Sequence, residues 1–291
     1  ANVAIGYYAG NAMTTAFYNT IVGYQAGDAL TIGNQNVAIG YEALSTSVDG
    51  DHNVAVGYAA LQDYEDGDGN GFNTAVGSQS QANATTGEFN TSLGALSMGA
   101  GVTTGNYNVA IGNEAGNDLT SGNRNTFVGY RAGFELTTSA SNTGVGYNAL
   151  KNSLNCNYNT ALGDGALTTN VDGDANTAVG FESLYTLEPA DGLSYNTAVG
   201  YHAGRLMSTG AQNALIGGLA GAALTTGENN TFMGYATGDA QTIGSYNTAM
   251  GHAALSVNVA GNKNVAVGNN ALWAMTAATS TDTFNTAVGF S

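Results

Sequence analysis

Six consecutive residues, Asp66-Gly67-Asp68-Gly69-Asn70-Gly71, place carboxylate and amide oxygens at alternate positions ahead of a glycine. That is how a calcium loop opens: alternate oxygens converge on one hard cation, and the glycine takes the sharp turn. The twelfth position is Gly77 instead of a bidentate Glu, so Asp66, Asp68 and Asn70 form an incomplete candidate calcium set. Asp49-Gly50-Asp51-His52-Asn53 and Asp172-Gly173-Asp174-Ala175-Asn176 repeat the Asp-x-Asp-x-Asn part without the following Gly. Because Asp-Gly pairs are ordinary turn formers, calcium is a candidate cofactor and not a required one.

Other chemistry is thin. His52, His202 and His252 fall in unrelated segments, and the acids cluster in turns with few bases to balance them. Carboxylates could pair across neighbouring coils for glycoside hydrolysis, yet no such pair stands out, and an enzyme is not expected. Aromatic residues are more suggestive. Three insertions bring in Tyr64 and Phe72, then Tyr185, Pro189 and Tyr195, then Trp273 and Phe284. Aromatic faces beside Asn and Asp can hold sugar rings, which makes Tyr64, Phe72, Tyr185, Tyr195 and Trp273 candidate ligand-binding residues. The alternative is that these rings pack on the scaffold.

What must position them is a repeat. Asn recurs at 2, 19, 36, 53, 73, 90, 108, 125, 142, 159, 176, 196, 213, 230, 247, 264 and 285, each time with Gly four residues later. Twelve of the sixteen intervals are 17 residues, and the others are 18, 20, 20 and 21, so every departure is an insertion. The long ones follow Asn53, Asn176 and Asn264. A unit this short cannot bury its own apolar side and must lean on its neighbours.

Counting each unit from its Asn as position 0, the consensus is Asn-Thr/Val-Ala-Val/Ile-Gly-Tyr-x-Ala-Gly/Leu. Position +1 is Thr eleven times, Val five times and Ala once, a β-branched preference that suits a strand. With 43 glycines in 291 residues, helical repeats are excluded. The prediction is an all-β parallel β-solenoid or β-roll of seventeen coils, spanning 1–291 as one continuous rod. At roughly 4.8 Å per coil it would be on the order of 80 Å long.

Position +3 is aliphatic in every copy, including Val22, Ile39, Val56, Ile111, Val128, Val199 and Ile216. This column is expected to face inward as the core. Position +2, mostly Ala, would then face outward, and a strand apolar on both sides is normally covered on both. The alanine side is therefore expected to press against a sister molecule; the alternative is that these small residues line a narrow solenoid interior while Thr and Tyr face water. The leading asparagines, among them Asn19, Asn36, Asn108, Asn125, Asn196 and Asn247, are expected to stack into an amide ladder. Tyr or Phe at +5 in ten copies is expected to stack as a structural column.

The units Asn196 to Tyr201, Asn36 to Gly40 and Asn108 to Gly112 resemble the head repeats of trimeric autotransporter adhesins. They are also similar to the Asn-Thr-Ala-Val-Gly-Tyr repeats of bacteriophage tail fibres. The resemblance runs the length of the chain and implies a left-handed β-roll that trimerises through its sheets. Since the adhesin repeat is usually shorter, handedness and subunit number could differ here.

Composition agrees with an extracellular fibre at a cell or virion surface. Five Lys plus Arg against 21 Asp plus Glu give a net charge of −16, which argues against nucleic acid or an anionic membrane surface as partner. Cys156 is the single cysteine, so no intrachain disulfide forms. No apolar run is long enough to span a membrane, and no signal peptide is recognisable. The pattern starts and ends without capping units, so the expectation is a fragment of a longer chain or a unit that polymerises. The leading functional expectation is a homotrimeric structural and adhesive fibre shaft, with a cell-surface glycan or receptor as partner. A purely structural end-to-end filament is the alternative, and an ice-binding solenoid the third.

Overall fold

The computed structural model describes residues 1–65, 70–189 and 192–291, and it is a parallel β-solenoid with no helix among them. The chain divides into two compact units, Ala1–Asn142 and Thr143–Ser291. Each 17-residue coil contributes one three-residue strand at positions +1 to +3. In the first unit Val3–Ile5, Thr20–Val22, Val37–Ile39, Val54–Val56, Thr74–Val76, Thr91–Leu93, Val109–Ile111 and Thr126–Val128 pair in that order, parallel and in register. Strands from Thr143–Val145 to Thr286–Val288 do the same in the second.

Turns are made by three left-handed positions per coil. Residues at −1, +6 and +8 have φ near +55°, for example Tyr107 (61°), Glu42 (53°) and Leu44 (52°). Non-glycine residues pay for this conformation, and backbone bonds to the neighbouring coils offset the cost. Gln25, Glu42 and Ala59 N–H donate to the carbonyls of Tyr7, Tyr24 and Tyr41, and Leu44 N–H donates to Ala60. Gly at +4 has a separate cause. Its φ is 143° at Gly23, and a Cβ there would lie 2.2 Å from the carbonyl oxygen of Gly40. No side chain fits at that stacking distance.

The strand faces are the reverse of the sequence expectation. Position +2 is the interior: Ile21, Ala38, Ala55, Ala75, Ala110, Phe127, Ala161, Ala178, Ala198, Leu215, Phe232, Ala249 and Ala266 are fully buried. Position +3 faces outward. Ile39 is 38% and Ile216 37% exposed, while Val22, Val56, Ile111, Val128 and Val199 are half-buried. These seven residues are not the core, and the alanines do not await a sister molecule. The physical reason is room. Inside the coil the +2 side chain shares one buried cluster with +7, +8 and +11, as Ile21 does with Ala26 and Leu30 and Ala38 with Ala43 and Leu44. Where +2 is large, +8 is glycine. A Cβ on Gly133 would come within 2.6 Å of Phe127, and one on Gly238 within 2.6 Å of Phe232.

Candidate functional site

Each leading Asn from Asn19 to Asn264 is buried, and a typical one bonds twice. Its Oδ1 accepts the backbone N–H of the next leading Asn, as from Asn36 to Asn19 (2.9 Å), Asn125 to Asn108 (3.0 Å), Asn213 to Asn196 (3.0 Å) and Asn264 to Asn247 (3.0 Å). Its Nδ2 donates across the coil to the carbonyl at +14, as from Asn19 to Gly33 (2.9 Å) and from Asn196 to Gly210 (2.8 Å). The ladder thus runs mainly from side chain to backbone. A second ladder at +15 runs the opposite way and has no counterpart in the sequence expectations. The side-chain oxygens of Asn34, Asp51, Asn106, Asn123, Asp174 and Asn262 accept the N–H of the residue one coil earlier.

That second ladder bears on the calcium candidates. Asp66 and Asp68 lie outside the described residues. Asn70 forms a parallel bridge with Asp51, and its carbonyl accepts the Tyr64 hydroxyl at 3.2 Å. In the two related stretches the Asp51 and Asp174 oxygens serve the +15 ladder, and Asn53 and Asn176 accept Asn73 and Asn196 N–H. Among the described residues, no group of three or more His, Cys, Asp or Glu is placed to hold a metal.

The insertions share one construction. Each adds a short parallel bridge to the coil before it: Asp51 with Asn70, Gly173–Asp174 with Gly192–Leu193, and Gly261–Asn262 with Thr281–Asp282. Of the aromatic candidates, Tyr64 is fully buried, so it is a core residue and not a ligand contact. Phe72 is exposed along its edge and stacks between His52 (4.5 Å) and Phe89 (5.1 Å). Tyr185 lies under the Arg205 guanidinium at 5.9 Å, and Tyr195 is half exposed. Trp273 borders an open depression of about 460 Å³ with Asn270, Leu272, Ala274, Met275 and Ser291. The candidates are distributed over three insertions and do not converge on one pocket.

The aromatic column at +5 is stacked, with Tyr7, Tyr24, Tyr41 and Tyr58 at successive centroid distances of 5.3, 5.1 and 5.5 Å. Ring faces are consumed by neighbouring rings, leaving edges and hydroxyls outward. Glu42 beside Tyr41 raises its phenol above the ordinary value by hydrogen bonding and charge.

The most extensive surface feature is the outward strand face. Its two columns, +1 and +3, hold only Thr, Val, Ile, Leu, Met and one Ala, without a single charged residue in either. Charges lie on other columns and partly neutralise one another there. Arg131 contacts Glu114, Glu182 takes Arg205 at 2.6 Å, and Lys263 meets Asp282 at 2.6 Å. Such exposed pairs add little stability, but their placement keeps the strand face free of charge. Lys263, as hydrogen-bond donor, also holds the Asp282 carboxyl below its ordinary value. Among the described residues no helix is long and apolar enough to cross a membrane. No protein-family model, no curated protein and no solved structure matches the chain.

Proposed function

We propose that this chain is a non-enzymatic structural shaft that assembles with copies of itself, three to a rod, through the outward face of its strands. Its setting is an extracellular fibre, such as a phage tail fibre or a microbial surface adhesin. The observation that carries the reading is the uncharged +1 and +3 face on a chain of net charge −16. Two acidic copies can meet there without burying a charge, which would be costly anywhere else on the coil.

Size supports the same reading. Each rung exposes a strip roughly 5 Å high and about 13 Å wide from +1 to the +5 ring, so the eight strands of the first unit alone present about 500 Å². That already reaches the largest apolar patches of lone soluble proteins, and an interface needs on the order of 800 Å² per partner. The insertions, with Phe72, Tyr195 and Trp273 at the surface, are where a glycan or receptor would be met.

Sedimentation equilibrium tests the assembly. The wild-type chain is expected at the mass of three chains. Val179→Asp with Val199→Asp is expected to sediment as a single folded chain, because both side chains lie outside the coil. A wild-type chain that stays single at every concentration overturns the reading.

One observation favours a second reading. The +1 threonines stand outward at strand spacing, an array of the kind an ice-binding face needs. Thermal hysteresis by a single-chain species supports that reading; its absence removes it.

A further inference from the structure

We propose that the order of Thr and Val at position +1 fixes the axial register in which copies of this chain meet. The inference rests on the self-association reading above and concerns the same face. Of the +1 and +3 columns, only +1 carries side-chain hydroxyls, those of its threonines. Among the described residues, none of these hydroxyls bonds to its own chain. Threonines at +12 behave differently: Thr14, Thr31, Thr120, Thr225 and Thr242 each donate Oγ1 to a carbonyl 17 residues on.

On a single chain, water satisfies a free +1 hydroxyl. When a second copy covers the face, water leaves, and the hydroxyl needs a partner from that copy or remains buried and unmet. In a closed assembly of parallel copies, identical rungs meet at the same height. Thr then faces Thr and both hydroxyls are paired, while Val faces Val in a dry contact. The order is irregular. In the first unit it reads Val3, Thr20, Val37, Val54, Thr74, Thr91, Val109, Thr126, and in the second Thr143, Thr160, Thr177, Thr197, Ala214, Thr231, Thr248, Val265, Thr286.

A slip of one rung therefore cannot preserve the pairing. It sets a Thr against an aliphatic at five of the seven overlapping rungs of the first unit and four of the eight of the second. The +3 column offers no such discrimination, because every residue there is aliphatic and any rung packs on any other. A single polar position inside an apolar seam selects register in coiled coils by the same penalty, and here the penalty is repeated along the stack.

The test uses two chains, one with Leu162→Cys and one with Val179→Cys, both carrying Cys156→Ser, mixed and oxidised to direct disulfides, whose short reach tells neighbouring rungs apart. These positions are the +3 residues of neighbouring rungs. In the otherwise wild-type background, cross-links are expected between like positions, with the 162-to-179 product at background level. With all eleven +1 threonines changed to valine, association should persist and the 162-to-179 product should rise at least fivefold. If that variant does not fold, the column is made uniform the other way, with Val3→Thr, Val37→Thr, Val54→Thr, Val109→Thr, Ala214→Thr and Val265→Thr, and is read the same way. Strictly in-register cross-links in the uniform variants overturn the inference while leaving self-association intact. A wild-type chain that gives no cross-links and sediments singly overturns both.

Discussion

The two faces of one short strand divide the molecule into regions under opposite constraints. Inward, position +2 sits in a space so narrow that every bulky residue there has Gly at +8, as Phe127 has Gly133 and Phe232 has Gly238, while Ala has Leu in six coils. Outward, position +3 accepts Val, Ile, Leu or Met at any rung with no partner column to match. Both columns are apolar, so hydrophobicity alone does not say which one is the core. Matched volumes mark an interior, and uniform lack of charge without matching marks a surface that is covered later.

The sharpest way to break this contrast is to empty each side in turn. Phe232→Ala should lose about 3 to 5 kcal/mol, the range for deleting a buried aromatic ring. Met233→Ala, one residue on and 41% exposed, should cost a single dissociated chain less than about 1 kcal/mol. Chemical denaturation of both variants under dissociating conditions checks it, and equal losses would erase the distinction between faces.

Overfilling sharpens the volume match. Ala161→Phe should cost about 1 to 3 kcal/mol by crowding Leu167. Adding Leu167→Gly, at a backbone φ of 50° that glycine adopts freely, should recover at least half of that loss. A double-mutant cycle with no coupling would show that +2 and +8 do not share a space.

A smaller effect is expected at the ladder. Asn196→Ala strips the partners from Asn213 N–H and the Gly210 carbonyl, and leaving buried groups unmet costs about 1 to 3 kcal/mol. The smallest concerns Asp118, whose carboxyl burial holds above its ordinary value. A raised folded-state value means protonation favours the fold, so this contribution is present at acid pH and is lost as pH rises through the shifted value. Asp118→Asn should raise the melting temperature slightly at pH 7 and leave it unchanged at pH 3.

Much of the fold was legible because stacking forces repetition. The strand at +1 to +3 announced itself through β-branched Thr and Val, and the Gly at +4 through a backbone approach that no Cβ survives. The facing of the strand was not legible from a single unit, since Ala at +2 and Val at +3 are both apolar. A signal for it was present: the units with Ile21, Phe127, Leu215 and Phe232 all carry Gly at +8, namely Gly27, Gly133, Gly221 and Gly238. The left-handed corners were hidden because Tyr, Gln, Glu and Leu occupy them, residues that do not signal positive φ; bonds between coils impose it. The +15 ladder was hidden for a different reason. Asp51 and Asp174 stand in Asp-Gly-Asp stretches, which look like cation loops or turns, whereas their oxygens serve a backbone N–H one coil away.

The most direct test of the central claim places one cysteine on each side of the same strand, Ala178→Cys or Val179→Cys, with Cys156→Ser in both, and applies a short bismaleimide to the assembled protein. Chains with the 179 cysteine should join to one another, and chains with the 178 cysteine should not, because that thiol lies inside its own coil. Joining through 178 and none through 179 would contradict the account.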